Sequence, residues 1–247
     1  MLEINKIYNM DCVEGMKYID DKSIDMILCD LPYGTTRNKW DSIIPLEPLW
    51  EQYKRIIKDN GAIVLTAQTP FDKVLGASNL DMLKYEWIWE KTESTGFLNA
   101  KKMPLKKHEN ILVFYKKLPT YNPQFTKGTP YSYQKDGISS SNYGDSKGTN
   151  KIINEGKRYP VSIITFKKDK GLHPTQKPVA LFEYLIKTYT NEGETVLDNC
   201  IGSGTTAVAA INTNRKYIGF ELSEEYCKIA NERISKTQPI VVKDEKP

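Results

Sequence analysis

The chain has 247 residues, of which 39% are hydrophobic and 27% charged, and its formal net charge is +4. This length suits one α/β domain with a small insertion. No apolar run approaches the length that crosses a membrane, and the N-terminus lacks a basic and then apolar leader, so we expect a cytoplasmic protein without membrane contact. Two histidines and four isolated cysteines, with no C-x-x-C pair, argue against a metal site or a disulfide framework.

Strand-like and helix-like stretches alternate along the chain. The predicted strands are Ile4–Tyr8, Ile24–Cys29, Ala62–Thr66, Glu86–Trp89, Ile111–Tyr115, Thr195–Leu197 and Tyr217–Phe220. The predicted helices are Val13–Tyr18, Leu46–Lys58, Val179–Tyr189, Thr205–Asn212 and Glu224–Lys236. Several strands are nearly continuous apolar runs, as in strands buried on both faces. The pattern predicts a doubly wound, mostly parallel seven-stranded sheet with helices on both faces.

One segment interrupts this alternation. Residues 118–160 are rich in Gly, Ser, Asn and Tyr and have no helical period. Five tyrosines are many for a linker, and aromatics among lysines suit nucleotide contact, although a disordered loop has a similar composition. We therefore predict one domain formed by residues 1–117 and 171–247, with residues 118–170 inserted as a recognition segment.

The basic residues are unevenly distributed. Residues 91–170 hold 16 Lys and Arg against 6 Asp and Glu, whereas the rest of the chain holds 19 against 25. This distribution is typical of a polyanion-binding face, and a solvated lysine-rich surface would give the same counts.

The segment TVLDNCIGSGTTAVAA (195–210) has the pattern of a short strand ending at Asp198, a glycine turn and a helix. Gly202 and Gly204 permit a tight turn and close approach of a ligand. The helix that follows presents free N–H groups to the turn. Glu221 follows another short strand and is placed to accept the two hydroxyls of a ribose. The loop predicts a site for a nucleoside-containing cofactor.

The same glycines fit a second interpretation. Gly202, Gly204 and Ala207 satisfy G-x-G-x-x-A, and Glu221 lies about 20 residues further on, as in an NAD-binding fold. An aspartate at position 198, however, disfavours a pyrophosphate and favours a cation, such as the amino group or sulfonium of S-adenosylmethionine.

The segment SIDMILCDLPYGTTRNKWD (23–41) is a buried strand that leads into D-L-P-Y at residues 30–33. Here the sequence resembles the amino-group DNA methyltransferases, whose catalytic signature is D-P-P-Y with variants at the second position. Their cofactor signature, D-x-x-x-G-S-G-T-T, is present at residues 198–206. HPTQKPVALFEYLIK (173–187) is similar to the segment that precedes their cofactor strand. The order of catalytic loop, recognition segment and cofactor loop is that of the beta subgroup.

The resemblance implies a class I S-adenosylmethionine-dependent methyltransferase fold and methylation of an exocyclic amine in DNA. Such an amine is reached only when the base swings out of the duplex and stacks on an aromatic face. Tyr33 would supply that face, and Pro32 would stiffen the loop. Asp30 would accept one hydrogen bond from the amine, and the carbonyl of Leu31 or Pro32 the other. Catalysis would then rest on positioning and electrostatics.

The resemblance also assigns the cofactor site. Asp11 would contact the adenine of the cofactor, although the residue suits a helix cap equally well. Lys177 would pair with the cofactor's carboxylate, with a surface lysine as the alternative, and His173 would be a structural hydrogen-bonding residue. The predicted cofactor-binding residues are Asp11, Cys12, Asp30, Lys177, Asp198, Cys200, Gly202, Ser203, Gly204, Thr205, Thr206 and Glu221.

Residues 95–117 resemble the family's G-x-x-x-x-x-[KR]-x-x-P-x-x-x-H-E stretch. The predicted phosphate contacts in this stretch are Lys101, Lys102, Lys106 and Lys107. His108 and Glu109 are predicted to brace the strand that follows. The chain departs from the family at Leu31, where proline is commoner, and at Asn199 and Cys200, where Pro-Phe is usual.

The first residue of D-L-P-Y is aspartate, which favours adenine N6 as the target, because cytosine-N4 members more often carry serine there. A cytosine-N4 enzyme is the first alternative, followed by an NAD-dependent oxidoreductase and a non-catalytic nucleic-acid binder. The motifs alone do not distinguish DNA from RNA. DNA with a flipped base is the predicted partner, and a homodimer and a cognate restriction endonuclease are open alternatives.

Overall fold

The computed structural model describes residues 2–34, 42–135, 139–140, 144–145, 150–169 and 176–237. The chain forms two compact units: a larger unit, Met1–Asn122 with Ser162–Pro247, and an insertion unit, Pro123–Val161. The insertion unit lies within the predicted segment 118–170 and is shorter at both ends. At its C-terminal side the difference arises because Ile163–Phe166 pairs with a strand of the larger unit.

The helices and strands follow the predicted alternation, with additions. The strands are β1 (Lys6–Asn9), β2 (Ile24–Asp30), β3 (Ile57–Ala67), β4 (Leu83–Thr95), β5 (Lys106–Phe114), β6 (Thr126–Lys127), β7 (Tyr131–Lys135), β8 (Ser139–Ser140), β9 (Gly144–Asp145), β10 (Asn150–Asn154), β11 (Lys157–Arg158), β12 (Ile163–Phe166), β13 (Thr195–Asp198) and β14 (Lys216–Glu221). The helices are α1 (Cys12–Met16), α2 (Leu46–Ile56), α3 (Phe71–Ala77), α4 (Val179–Tyr189), α5 (Thr205–Asn212) and α6 (Glu224–Ser235), with a 3-10 turn at Phe97–Asn99.

In the described residues of the larger unit, eight strands form one sheet in the order β1-β14-β13-β2-β3-β5-β4-β12. Neighbouring strands are parallel except at β5, which runs antiparallel to both β3 and β4. The predicted doubly wound, mostly parallel fold is confirmed. The sheet has eight strands rather than seven because β12, which the sequence placed in the insertion, adds an edge strand beside β4.

The differences from the predicted elements are local. Helix α2 ends at Ile56, and the next two residues, predicted as helix, begin β3. The seven-residue helix α3 was not predicted, because two turns are too short to show a clear period. Strands β4 and β5 extend beyond their predicted bounds as one antiparallel hairpin. Across the described ranges, no helix has the length and apolar character needed to cross a membrane.

Side chains alternate between the two faces of the sheet and form two cores. Met26, Leu28 and Val64 lie on one face, with α4, α5 and α6, whereas Ile27 and Leu65 lie on the other, with α1, α2 and α3. Because both faces are covered, the central strands are apolar along their length and polar side chains appear only where the strands end.

The described part of the insertion unit consists of antiparallel strand pairs, β7 with β10, β6 with β11 and β8 with β9. Aromatic and basic side chains pack together in this unit. Tyr131 stacks on Tyr133 with ring centroids 5.8 Å apart, and Arg158 Cζ lies 4.7 Å from the Tyr131 centroid. Lys157 Nζ lies 3.8 Å from the centroid of Phe125. The predicted aromatic and basic segment therefore has β structure in its described residues.

The buried hydroxyl of Tyr189 links α4 to β4, and its removal tests the packing of these two elements. Tyr189 Oη accepts a hydrogen bond from Trp87 Nε1 at 2.7 Å, and both side chains are buried. Tyr189→Phe should lower the free energy of unfolding by about 1–3 kcal/mol, because the indole N–H loses its partner. Urea unfolding measures the change, with Tyr18→Phe at an exposed position as the control. An equal effect in both variants would contradict the assignment.

Candidate active site

Strands β2 and β13 are parallel neighbours, with Met26 opposite Val196 and Ile27 opposite Leu197. From this pair the sheet continues through β14 to β1 on one side and through β3 on the other, so the strand order reverses here. Both strands end in an aspartate, Asp30 and Asp198. Both carboxylates therefore lie at the switch point where ligands bind in sheets of this kind.

Three groups hold the carboxylate of Asp30. Its Oδ1 accepts hydrogen bonds from the hydroxyl of Tyr33, at 2.7 Å, and from that of Thr66 on β3. Its Oδ2 accepts from Lys177 Nζ at 2.7 Å. A carboxylate has about four acceptor positions, so among the described residues these three contacts leave one, on Oδ2, for a further donor.

The catalytic loop, residues 30–33, is fixed by packing as well as by hydrogen bonds. Leu31 is 3% exposed and belongs to the core on the α2 face. The ring of Tyr33 stacks on Phe71, with centroids 5.5 Å apart and planes at 27°. Burial, and then the charge of Asp30, raise the pKa of Tyr33 well above its usual value, so its phenol stays protonated and donates to Asp30. Residues 35–41 of the predicted segment lie outside the described residues.

Lys177 is buried rather than at the surface, with 6% of its residue exposed. Its ammonium lies 2.7 Å from Asp30 Oδ2 and 3.2 Å from Glu109 Oε2. Burial lowers the pKa of Lys177, but the negative charges of Asp30 and Glu109 outweigh burial and raise it well above its usual value. The structure thus places this charge beside Asp30, whereas its predicted pairing with the cofactor's carboxylate stays a prediction.

The residues before α4 connect the catalytic loop to the glycine loop, residues 199–204. Gln176 Oε1 accepts a hydrogen bond from Ser203 Oγ at 3.3 Å, and the carbonyl of Lys177 accepts from Thr205 Oγ1 at 3.5 Å. Arg233 on α6 donates to the carbonyl of Ser203 at 3.1 Å. The hydroxyls of Ser203 and Thr205, predicted to bind cofactor, therefore have protein partners. His173 lies outside the described residues.

The glycine loop has the backbone that its sequence predicts. Gly202 and Gly204 have φ of +52° and +83°, in the left-handed region that favours glycine. A Cβ on Gly204 would lie 3.1 Å from Cβ of Ala230, whereas a Cβ on Gly202 would meet no atom of the described residues nearer than 4.0 Å. The loop is thus closely packed at Gly204 and open beside Gly202, where a ligand has room.

Asp198 is a buried carboxylate, 3% exposed. It accepts hydrogen bonds from the backbone N–H of Cys200, at 3.0 Å, and from the hydroxyl of Thr206. Burial raises its pKa from 3.8 to about 6. Within the described part of the chain, no lysine, arginine or histidine forms an ion pair with it. A buried carboxylate without a counterion fits a positively charged ligand and disfavours a phosphate.

Glu221 and Asp11 lie at the ends of β14 and β1, two strands that pair side by side. Glu221 accepts from the backbone N–H of Gly202 at 2.9 Å, and burial raises its pKa. Asp11 accepts from the backbone N–H of Val13 at 2.9 Å and caps α1. The helix-cap interpretation of Asp11 is confirmed, and the contact of Asp11 with the cofactor's adenine stays a prediction.

Asn199 and Cys200, which replace the usual Pro-Phe, belong to a buried polar cluster. The amide nitrogen of Asn199 lies 3.6 Å from Cys12 Sγ and 3.5 Å from Cys200 Sγ, and its oxygen accepts from the hydroxyl of Tyr53. Hydrogen bonds thus fix this side of the glycine loop where apolar side chains are usual.

The four predicted phosphate-binding lysines lie on the exposed end of the β4–β5 hairpin. Lys106 donates to Gln68 at 3.3 Å, and Lys107 pairs with Glu90 at 3.1 Å. Lys101 and Lys102 follow the 3-10 turn and are exposed. The stretch is therefore a basic hairpin, as a surface that contacts a polyanion requires.

Sequence reasoning missed several residues around Asp30. Thr66 ends a predicted strand and lies directly opposite Asp30 in the parallel register, so its position at a strand end was a usable signal. Phe71 begins the helix that was not predicted. Glu109 was predicted to brace a strand, and nothing in the local sequence pairs it with Lys91 or Lys177.

Residues 24–232 match the family described as DNA methylase. The chain belongs to this family. The predicted class, methyl transfer from S-adenosylmethionine to DNA, is thereby confirmed for this methylase. The NAD-dependent oxidoreductase and the non-catalytic binder are not supported.

Two curated relatives of this methylase match nearly all of it. The Type II methyltransferase M1.MboII of Moraxella bovis is 29% identical over 263 residues, which cover 94% of this chain and 96% of the relative. The DNA adenine methyltransferase YhdJ of Escherichia coli (strain K12) is 29% identical over 250 residues, 94% and 83% of the two chains.

Solved structures show the same fold. The M1.HpyAVI-SAM complex superposes with a TM-score of 0.64 at 24% identity, over 92% of this chain and 98% of that one. The cytosine-N4-specific PvuII DNA methyltransferase has a TM-score of 0.66 at 16% identity, over 92% and 85%.

The charge of Asp198 should make stability depend on pH. The folded-state pKa, about 6, exceeds the ordinary value of 3.8, so the ionised carboxylate destabilises the fold above about pH 6 and the penalty vanishes as the pH falls below 3.8. Without cofactor, Asp198→Asn should be more stable than the unmodified methylase by about 1–3 kcal/mol at neutral pH, and by much less at about pH 4.

Urea unfolding at both pH values measures this difference, and Asp20→Asn at an exposed position is the matched control. The Asp198→Asn variant should also bind S-adenosylmethionine at least about tenfold more weakly, measured by calorimetry. A pH-independent stability difference would show that the carboxylate is not the cause.

Proposed function

We propose that this methylase transfers the methyl group to the exocyclic N6 of an adenine flipped out of a specific DNA sequence. The observation that carries this proposal is the carboxylate of Asp30, which keeps one acceptor position on Oδ2 and lies beside Asp198 at the switch point. A relative named as a DNA adenine methyltransferase supports adenine as the target. Cytosine N4 is the second candidate.

The chain's own residues would activate and orient the amine. When bound, S-adenosylmethionine supplies an electrophilic methyl group on a positively charged sulfur. Asp30 Oδ2 accepts a hydrogen bond from one N–H of the amine, and the carbonyl of Leu31 or Pro32 accepts one from the other N–H. These two hydrogen bonds draw the nitrogen lone pair out of conjugation. Tyr33, fixed by Phe71 and Asp30, provides the aromatic surface for the flipped base.

Electrostatics favour this reaction at this place. The target nitrogen gains positive charge as the new bond forms, so preorganised negative groups stabilise the transition state. Asp30 and Asp198 supply these charges from adjacent strands, and the charge of Asp30 contributes to the raised pKa of Asp198. The carboxylate of Asp198 would hold a positive group of the cofactor, and Glu221 the ribose.

Two basic surfaces would bind the DNA. The hairpin with Lys101, Lys102, Lys106 and Lys107 would contact phosphates, and the insertion unit, with its stacked tyrosines and Arg158, would read the target sequence. A relative named as a Type II methyltransferase supports the proposal that a cognate restriction endonuclease accompanies this methylase. We expect both proteins in the cytoplasm. A homodimer is the open alternative to a monomer, and sedimentation analysis distinguishes the two.

Asp30→Asn tests the catalytic assignment. The variant has nearly the same shape but presents an uncharged side chain, so kcat should fall by about 10²–10³-fold or more, while affinity for S-adenosylmethionine stays within about threefold. The assay measures labelled methyl transfer to unmethylated genomic DNA, and mass spectrometry identifies the modified nucleoside. N4-methylcytosine would change the target base, and full activity of the variant would refute the role of Asp30.

Lys101→Gln with Lys102→Gln tests the phosphate contacts. Loss of two phosphate contacts should weaken DNA binding and lower the slope of log K against log salt by about 2. Fluorescence anisotropy over a salt series measures both quantities. Lys116→Gln with Lys117→Gln, at the other end of β5, is the matched control and should leave the slope unchanged. Equal slopes for both double variants would remove the hairpin from the DNA interface.

A further inference from the structure

Four alternating charges run from the interior of the sheet to the catalytic loop. Lys91 Nζ on β4 lies 2.6 Å from Glu109 Oε1 on β5, and Glu109 Oε2 lies 3.2 Å from Lys177 Nζ. Lys177 then contacts Asp30 Oδ2 at 2.7 Å. The side chains of Lys91, Glu109 and Lys177 are 5%, 8% and 7% exposed, and that of Asp30 is 24% exposed. The negative end of this series therefore lies in the active site.

Stability alone does not account for the buried part of this series. Burying a charge costs free energy even when it is paired, and an apolar pair of similar volume is often at least as stable. Lys91 and Glu109 lie on adjacent antiparallel strands, β4 and β5. The series ends on Asp30, the carboxylate that would bind the target amine in the proposed reaction.

Glu109 has a feature that a structural brace does not need. Its Oε1 lies 2.6 Å from Lys91 Nζ and its buried Oε2 lies 3.2 Å from Lys177 Nζ, so the carboxylate is shared between two buried lysines. Burial raises the pKa of Glu109, but Lys177 and Lys91 outweigh burial and lower it to about 2, so the carboxylate is ionised at neutral pH. An ionised Glu109 attracts Lys177 from the side opposite to Asp30.

The consequence for Asp30 follows from charge and geometry. Without Glu109, the positive charge of Lys177 would be balanced by Asp30 alone, and the active site would lose the negative potential that a cationic transition state needs. The ammonium would also be free to move over both lone pairs of Oδ2. That movement would block the acceptor position that remains for the target amine.

We propose that Glu109, held by Lys91, is a positioning residue for methyl transfer, which fixes Lys177 on one side of Asp30 Oδ2 and balances its charge. This inference rests on the proposed function. It assigns to Glu109 a role in turnover that acts through Lys177, without contact with substrate.

Paired variants separate positioning from stability. Glu109→Gln alone leaves two buried lysines with one carboxylate between them and should lower the Tm. Lys91→Met with Glu109→Gln removes one charge of each sign and should restore the Tm close to that of the unmodified methylase. Lys58→Met with Asp25→Asn removes an ion pair between the amino ends of β3 and β2, at the end of these strands opposite to Asp30, and is the control.

Two readouts are compared. In the Lys91→Met/Glu109→Gln variant, kcat should fall at least about tenfold while KM for S-adenosylmethionine changes less than about threefold. Lys177 should also become more reactive towards an amine-acylating reagent, quantified by peptide mass spectrometry, because it has lost one of its two carboxylate partners. The control should show neither change.

The outcomes are distinct. A double variant with normal kcat and a protected Lys177 would make Glu109 a structural brace and overturn the proposal. If the unmodified methylase modifies no nucleic acid, the proposed function fails, and the acylation of Lys177 still decides whether Glu109 holds it. If both variants that carry Glu109→Gln fail to fold, Glu109→Asp is tested instead. This variant keeps the negative charge but places it one methylene further from Lys177. We expect the same loss of kcat with normal cofactor binding.

Discussion

The parallel pairing of β13 with β2 brings together two aspartates that are 168 positions apart in the sequence. Each residue ends an apolar strand covered on both faces by helices, so each carboxylate lies where the core meets the crevice. Asp30 forms an ion pair with Lys177, which Glu109 also contacts, whereas burial raises the pKa of Asp198. In the proposed reaction, negative charge at this end of the strands would favour a positively charged methyl donor and stabilise a nucleophile that becomes positive. The same feature lowers the stability of the empty protein, and a cationic ligand would offset that cost.

Side chains from several elements hold one another in the site. Tyr33 contacts Asp30, Thr66 and Phe71, so the catalytic loop is attached to two further elements, β3 and α3. Arg233 and Gln176 hold Ser203 from two other elements. Catalysis by positioning requires such support, because displacements of about 1 Å can cost two orders of magnitude in rate.

The sequence predicted those parts of the site that are local in the chain. The strand, turn and helix around residues 195–210 and the D-L-P-Y loop were recognisable because each motif is continuous and has a backbone requirement, such as the positive φ of Gly202 and Gly204. Contacts between distant segments were not predictable. Lys177 and Asp30 are 147 positions apart, and only the folded structure shows that Lys177 Nζ donates a hydrogen bond to Asp30 Oδ2. The edge strand β12 could not be predicted for the same reason, because its four residues become a strand only by pairing with the distant β4.

Gln176 and Lys177, the two residues that precede Pro178, connect the glycine loop to Asp30. Gln176 is bonded to the glycine loop, and Lys177 is bonded both to that loop, through its carbonyl, and to Asp30, through its ammonium. A shift of Ser203 or Thr205 on binding of the methyl donor would therefore reach Asp30 through Lys177. If donor binding changes the affinity for an extrahelical base, thermodynamic reciprocity requires that the base changes the affinity for the donor by the same factor.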